Sequence, residues 1–203
     1  MIALLNYKFG NIKAFDNILF NSNINYRIIE NFENIKEFNK IIIPGVGHFK
    51  SAAKKIKKLK YFEKFNDLVL TEKIKVLGVC VGMQIFATES EEDVNVKGLN
   101  WIDTKIKKLD FYKLKFPHMG WNKIVLNSND PIIHNIENNT KLYFLHSYAY
   151  SLSSKFNTLA YSEYGEKFSS IIRFKNIYGF QFHPEKSNEV GVKLIKNFCN
   201  LST

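Results

Sequence analysis

The chain has 203 residues, 45% hydrophobic and 24% charged, a length and balance expected for one soluble domain, 1–203, with a sizeable core. No apolar run approaches a bilayer-spanning length, the N-terminus lacks a signal-peptide pattern, and two cysteines, Cys80 and Cys199, make no disulfide framework, so a reducing cytoplasm and no membrane partner are expected. The net charge of +10 raises nucleic-acid binding, but lysine, asparagine and isoleucine are spread throughout, which reads as a composition bias and not as a binding patch.

Ile2-Ala3-Leu4-Leu5 reads as a buried first strand. Gly10-Asn11 turns the chain into a helix over about Ile12 to Phe20, and Tyr26-Arg27-Ile28-Ile29 is a second strand. Ile41-Ile42-Ile43 is β-branched throughout and ends at Pro44-Gly45, as a central strand does. A helical stretch runs from about His48 to Leu70, broken near Tyr61. It contains the densest basic run, Lys54 to Lys60, whose Ile56 and Leu59 fall three apart on one helix face, so its lysines read as a solvated surface. Lys75 to Val79 is the next strand, and Met83 to Ala87 reads as a helix. Strands alternating with helices imply a parallel sheet.

The second half changes character. Trp101 to Phe116 and Asn122 to Leu126 have little helical period. Leu142 to Leu145, Thr158 to Tyr161, Ser170 to Phe174 and Ile177 to Phe182 read as strands, several at hairpin spacing. Asn188 to Asn200 closes as a helix with Val192, Ile195 and Cys199 on one face. The fold class is α/β, a mostly parallel sheet with an antiparallel portion. No zinc-ligand cluster is evident, and no metal or cofactor is expected.

The chemistry centres on Gly78-Val79-Cys80-Val81-Gly82. A cysteine is set on a sharp strand-to-helix turn, which pushes a side chain into a strained, exposed position and lets substrate approach the backbone. The helix start behind it directs a partial positive charge at the sulfur and favours thiolate. Read alone, this window leaves nucleophile and buried core cysteine equally open. His183-Pro184-Glu185 follows the alternating Tyr178-Gly179-Phe180-Gln181-Phe182. A nucleophilic cysteine needs a base, and the base needs a third group to orient it. Side chains at i and i+2 leave a strand on one face, so Glu185 can hold the His183 imidazole.

The cysteine elbow with His-Pro-Glu downstream resembles the class I (triad) glutamine amidotransferase family. Pro44-Gly45-Val46-Gly47, Gly82-Met83-Gln84, Pro117-His118-Met119-Gly120-Trp121-Asn122, Tyr143-Phe144-Leu145-His146-Ser147-Tyr148 and Gln181 to Ser187 are similar to the glutaminase subunits of imidazole glycerol phosphate synthase. They occur in that family's order and cover nearly the whole chain. The resemblance implies a flavodoxin-like sheet, with the site at the carboxyl ends of its strands.

It also implies a reaction. Cys80 attacks the carboxamide of L-glutamine, His183 moves the proton, and Glu185 orients His183. The oxyanion donors are expected at the backbone of Val81 and of the Val46-Gly47 loop. Glutamine contacts are implied at Gly47, Val81, Gln84, Glu92, Ser147 and Tyr148, with Glu92 facing the substrate ammonium. The implied partner is a (β/α)8-barrel cyclase subunit in a heterodimer, met near Trp121, Asn122, Tyr143 and Lys186. His118 and His134 read as surface or structural, and His48 has no assigned role.

One loop departs from the family. Asn6-Tyr7-Lys8-Phe9-Gly10-Asn11 stands where Asp-Tyr-Gly-x-Gly-Asn is usual, which bears on substrate or partner contacts. Gly98 to Asp103 and Tyr143 to Tyr148 are also similar to paralogues that feed ammonia to nucleotide-sugar or surface-glycan amidotransferases. A catalytically inactive binding subunit is a third reading, opposed by the retention of Cys80, His183 and Glu185 together.

Overall fold

The computed structural model describes residues 1–110 and 113–202. In chain order the elements are β1 (Ile2–Leu5), α1 (Ile12–Asn21), β2 (Tyr26–Ile29), β3 (Lys40–Gly45), α2 (Phe49–Lys57), α3 (Phe62–Leu70), β4 (Lys75–Cys80), the single turn α4 (Val81–Gln84), β5 (Ala87–Ser90), β6 (Asp93–Lys97) and β7 (Ile102–Lys108). There follow β8 (His118–Lys123), β9 (Val125–Leu126), β10 (Lys141–His146), β11 (Tyr148–Ala149), β12 (Asn157–Tyr164), β13 (Glu166–Phe174), β14 (Ile177–Phe180) and α5 (Asn188–Asn200).

The main sheet has the order β2-β1-β3-β4-β14-β13-β12-β9. Pairing is parallel from β2 through β14 and antiparallel from β14 through β9. The antiparallel portion expected in the second half is therefore a run of strands added to one side of a parallel sheet. The apolar runs explain the placement: β1, β3 and β14 are buried at every residue, as strands covered on both faces must be. Tyr26–Ile29, at the edge, is only half-buried.

The helices bury one stripe each. On α2 the stripe is Phe49, Ala52, Ala53 and Ile56, at i, i+3, i+4 and i+7, and Lys54, Lys55 and Lys57 face out. The break near Tyr61 is real: Tyr61 takes a left-handed φ of 64° between α2 and α3. Two sequence expectations shift, and one segment is added. The helix after Cys80 ends at Gln84, and Ala87 already begins β5. The inner face of α5 is Leu194, Ile195, Phe198 and Cys199, with Val192 half-buried beside it. The segment 87–108 folds into strands of a second sheet, β11-β7-β5-β6, whose short, polar strands show no clear alternation. Strands β8 and β10 pair separately, antiparallel from Lys141 opposite Lys123 to His146 opposite His118.

Among the described residues no helix is long and apolar enough to cross a membrane.

Candidate active site

Three neighbouring parallel strands, β3, β4 and β14, end together. Gly45 lies opposite Cys80, and Phe180 opposite Val79, so the segments after all three strands meet at one sheet edge. Cys80 is the turning residue, with φ 52° and ψ −114°. A non-glycine residue there stores about 1–3 kcal/mol, held by its surroundings. The glycine after it answers a packing demand: a Cβ on Gly82 would lie 2.0 Å from the Ile43 carbonyl oxygen, and one on Gly45 2.1 Å from the Gly82 nitrogen. At these two glycines backbone packs directly on backbone. Cys80 is not exposed. It is 3% accessible and lines a cavity of about 220 Å³.

That cavity gathers residues far apart in sequence: Val46, Gly47, Cys80, Val81, Gln84, Glu92, Ser147, Tyr148 and His183 all line it. Every expected catalytic, oxyanion-loop and substrate residue except Glu185 is at the wall. Glu185 stands behind His183, where an orienting group belongs. Its Oε1 lies 2.9 Å from His183 Nδ1, and both side chains are at most 3% exposed. The geometric reason differs from the one the sequence suggests. Strand β14 stops at Phe180, and Pro184–Lys186 form a 3-10 turn that brings residues two apart into contact. With Nδ1 occupied, the other ring nitrogen is left for the Cys80 sulfur, which lines the same cavity and lies 3.7 Å from the Leu145 carbonyl oxygen.

The electrostatics favour a charged imidazole. Burial lowers the His183 pKa, but the neighbouring Cys80 and the Glu185 carboxylate outweigh it and raise the imidazole. Glu185 Oε2 is buried without a hydrogen-bond partner among the described residues, so the adjoining imidazolium is what compensates the carboxylate.

Two expected substrate residues are already engaged by protein. Gln84 is buried, and its Nε2 donates to the Tyr148 carbonyl (2.8 Å) and to Gln181 Oε1 (3.1 Å). Glu92 Oε2 accepts from the Phe49 N–H at the start of α2 (2.8 Å), and its Oε1 lies 3.2 Å from His48 Nδ1. His48, Glu92 and Asp93 place potential ligand atoms within 4.8 Å of one another. Both carboxylates accept helix N-terminal amides, Asp93 from Lys50 at 3.2 Å, which makes this a capping arrangement. His134 is exposed, whereas His118 is buried.

Gly47 has φ +96°, and the nearest atom to a Cβ there is Phe9 Cδ1, 4.0 Å away. The departing loop therefore packs beside the oxyanion segment. Tyr7, in the same loop, is buried with its hydroxyl unpartnered among the described residues. Burial, and then the Cys80 charge, raise its pKa.

The expected partner residues fall on β8, β10 and the turn after His183. Trp121 is exposed and meets Tyr143 edge-on at 6.1 Å, and Lys186 Nζ lies 5.5 Å above the Tyr143 ring. Asn122 turns the other way along β8. Its Nδ2 is bound to the Glu163 carbonyl and to His118, so its amide faces inward. Strand β10 is tied to the base: the His183 N–H donates to the Tyr143 carbonyl (2.8 Å), and Ser187 Oγ joins the Tyr143 N–H (3.0 Å) to the His183 carbonyl (2.7 Å). Sequence reasoning did not single out Gln181, whose Nε2 lies 3.8 Å from Cys80 Sγ, or the role of His146. Neither residue type signals a role until the fold places it.

Residues 6–201 match the family model for class-I glutamine amidotransferases. The imidazole glycerol phosphate synthase subunit HisH of Leptospira borgpetersenii is 42% identical over 99% of this chain and 100% of its own length. The HisH 1 subunit of a Campylobacter jejuni strain is 38% identical over 99% and 100%. A solved glutamine amidotransferase shares the fold with TM-score 0.76 at 15% identity, over 97% of this chain and 96% of the other. The chain belongs to the class-I glutamine amidotransferase family, among the HisH subunits of imidazole glycerol phosphate synthase.

Proposed function

We propose that this chain is the glutaminase subunit of an imidazole glycerol phosphate synthase in histidine biosynthesis, with Cys80, His183 and Glu185 as its catalytic line. The observation that carries this reading is that Cys80 and His183 line one small cavity, with the buried Glu185 carboxylate bonded to His183 from behind. The Cys80 sulfur attacks the glutamine carboxamide carbon. The resulting oxyanion is met by backbone N–H groups at Val81 and at the Val46-Gly47 loop, where the φ of Gly47 allows the peptide to turn without a Cβ penalty. His183 gives its proton to the departing nitrogen, so ammonia leaves and a γ-glutamyl thioester remains. His183 then takes a proton from water, whose oxygen attacks the thioester, releasing glutamate and the Cys80 sulfur.

Glutamine is positioned by Gln84, Glu92, Ser147 and Tyr148 at the cavity wall. Gln84 acts as a fixed element of that wall, because its amide nitrogen is held by protein. Ammonia released into water is lost, which calls for a synthase at the mouth of the site. The Trp121–Tyr143–Lys186 patch suits a (β/α)8-barrel cyclase: aromatic rings anchor and a cation sets register. The identities to HisH subunits over the full chain favour this acceptor over a nucleotide-sugar or surface-glycan amidotransferase. The test is glutamate and ammonia formation by the pure chain, alone and with a cyclase subunit. Glutamine-dependent formation of imidazole glycerol phosphate by the pair supports the reading. Activation by a sugar amidotransferase and not by the cyclase would reassign the acceptor.

A further inference from the structure

A buried line of hydrogen bonds runs from β8 to the glutaminase cavity, and its proton positions follow from its ends. Asn122 Oδ1 accepts from the Lys123 N–H (2.8 Å), which fixes the amide, so Nδ2 faces His118 Nε2 at 3.2 Å. An amide nitrogen only donates, so His118 Nε2 carries no proton. His118 Nδ1 carries it and donates to His146 Nε2, 2.9 Å away. By the same logic the His146 proton is on Nδ1, which donates to the Tyr148 carbonyl at 3.0 Å. That carbonyl also accepts from Gln84, and Gln84 leads through Gln181 to the Cys80 sulfur.

Both rings are boxed by aromatics. Tyr164 and Phe144 stack on His118 at 4.1 and 5.0 Å, and Phe168 meets His146 edge-on at 4.9 Å. Burial lowers the His118 pKa to about 4. For His146, burial, and then the neighbouring His118 and His183, lower it to about 3, against the Tyr148 carbonyl. Neutral rings in one tautomer each are what the line requires.

We propose that His118 and His146 are positioning residues for glutamine hydrolysis, holding the Ser147–Tyr148 wall of the cavity in register with Cys80 through the Tyr148 carbonyl. This rests on the glutaminase reading of the same cavity. Two donors fix that carbonyl, one from His146 and one from Gln84. Backbone pairing with β7 and the Leu109 N–H bond to the Ser147 carbonyl hold the chain path; without the first donor, Gln84 alone orients the Tyr148 carbonyl, and Gln84 also holds Gln181.

The test compares His146→Asn, His146→Gln and His146→Phe, each assayed for glutamate formation with the cyclase subunit bound. An Asn amide reaches where the ring Nδ1 lies, whereas a Gln amide reaches the Nε2 position. His146→Asn is expected to keep kcat/KM within about threefold, and His146→Gln and His146→Phe to lose about tenfold or more, mostly as a higher KM for glutamine. Equal losses in all three, or wild-type activity in His146→Phe, overturns the proposal. In the unmutated protein, NMR of 15N-labelled histidine is expected to show both rings neutral and Nδ1-protonated at neutral pH. An Nε2–H tautomer or a charged ring at either position also overturns it. If the unmutated pair releases no glutamate, the glutaminase reading fails, while the tautomers still report on the line itself.

Discussion

Lowering the pH should strike this fold first at His118 and His146. Both side chains are buried and neutral, with pKa values lowered to about 4 and about 3, and in the unfolded chain each titrates near the ordinary value of about 6.5. The sign follows. A lowered folded pKa contributes stability that is fully present above 6.5 and is lost as pH falls towards the folded value. Each ring then costs about 1.4 kcal/mol per pH unit below about 6.5, so a step from neutral pH to about pH 5 removes about 2 kcal/mol per ring and about 4 kcal/mol for the pair. His183 acts in the opposite sense: its pKa is raised to about 10, so its contribution is present below 6.5 and lost as pH rises through the folded value. Comparing variants cancels it. Urea unfolding at the two pH values, on the unmutated chain and on His118→Asn and His146→Asn, isolates each ring. The variants should lose about 2 kcal/mol less on acidification than the unmutated chain. Equal losses would mean that the rings are not the acid-labile groups, and the argument from their burial would be refuted.

Other expectations follow from the site. Glu185→Gln should slow turnover less than His183→Ala, because the amide can still bond His183 Nδ1 while the alanine removes the base; the opposite order of steady-state rates would reverse the assigned roles. Gly47→Ala should cost about 1–3 kcal/mol at most in urea unfolding, since its φ is positive but the space beside it is open, while lowering glutaminase activity sharply. Gly82→Ala should unfold the elbow, because its Cβ would lie 2.0 Å from the Ile43 oxygen; a soluble, active Gly82→Ala enzyme would contradict the close packing. The chain alone should be a poor glutaminase that a bound cyclase activates, with the partner selecting the oxyanion-competent orientation of the Gly45-Val46-Gly47 segment. Full glutamate production by the isolated chain would remove that gating.

Much of the fold was legible because its signals are local. Ile41 to Ile43 is β-branched and ends at Pro44, and the fully buried strand Lys40–Gly45 is where that pattern put it. The terminal helix was found with its bounds, Asn188–Asn200. What escaped depended on tertiary context. Ala87 to Phe182 contains short polar strands, such as Ala87–Ser90 and Asp93–Lys97, that are stable only against β7 and one another, and such pairing leaves little period in the sequence. The candidate site was legible where residue type and chemistry coincide: Cys80, His183 and Glu185 do come together. It was less legible where a side chain's partners decide its role. Gln84 and Glu92 are at the cavity, yet their polar atoms are bound to Tyr148, Gln181, Phe49 and His48. Asn122 was expected near the partner together with Trp121; the alternation along β8 turns its amide to His118, a partner that the sequence does not signal.

The most direct test of the central claim is labelling by an electrophilic glutamine analogue with the cyclase bound, followed by mass mapping of the modified peptide. The account predicts one adduct, on Cys80, slowed by excess glutamine and lost in His183→Ala. Cys199, packed on the inner face of α5, with its thiol pKa pushed up to about 12 by burial, should stay unmodified. An adduct on Cys199, or none on Cys80 while the pair turns over glutamine, would contradict the assignment of the nucleophile.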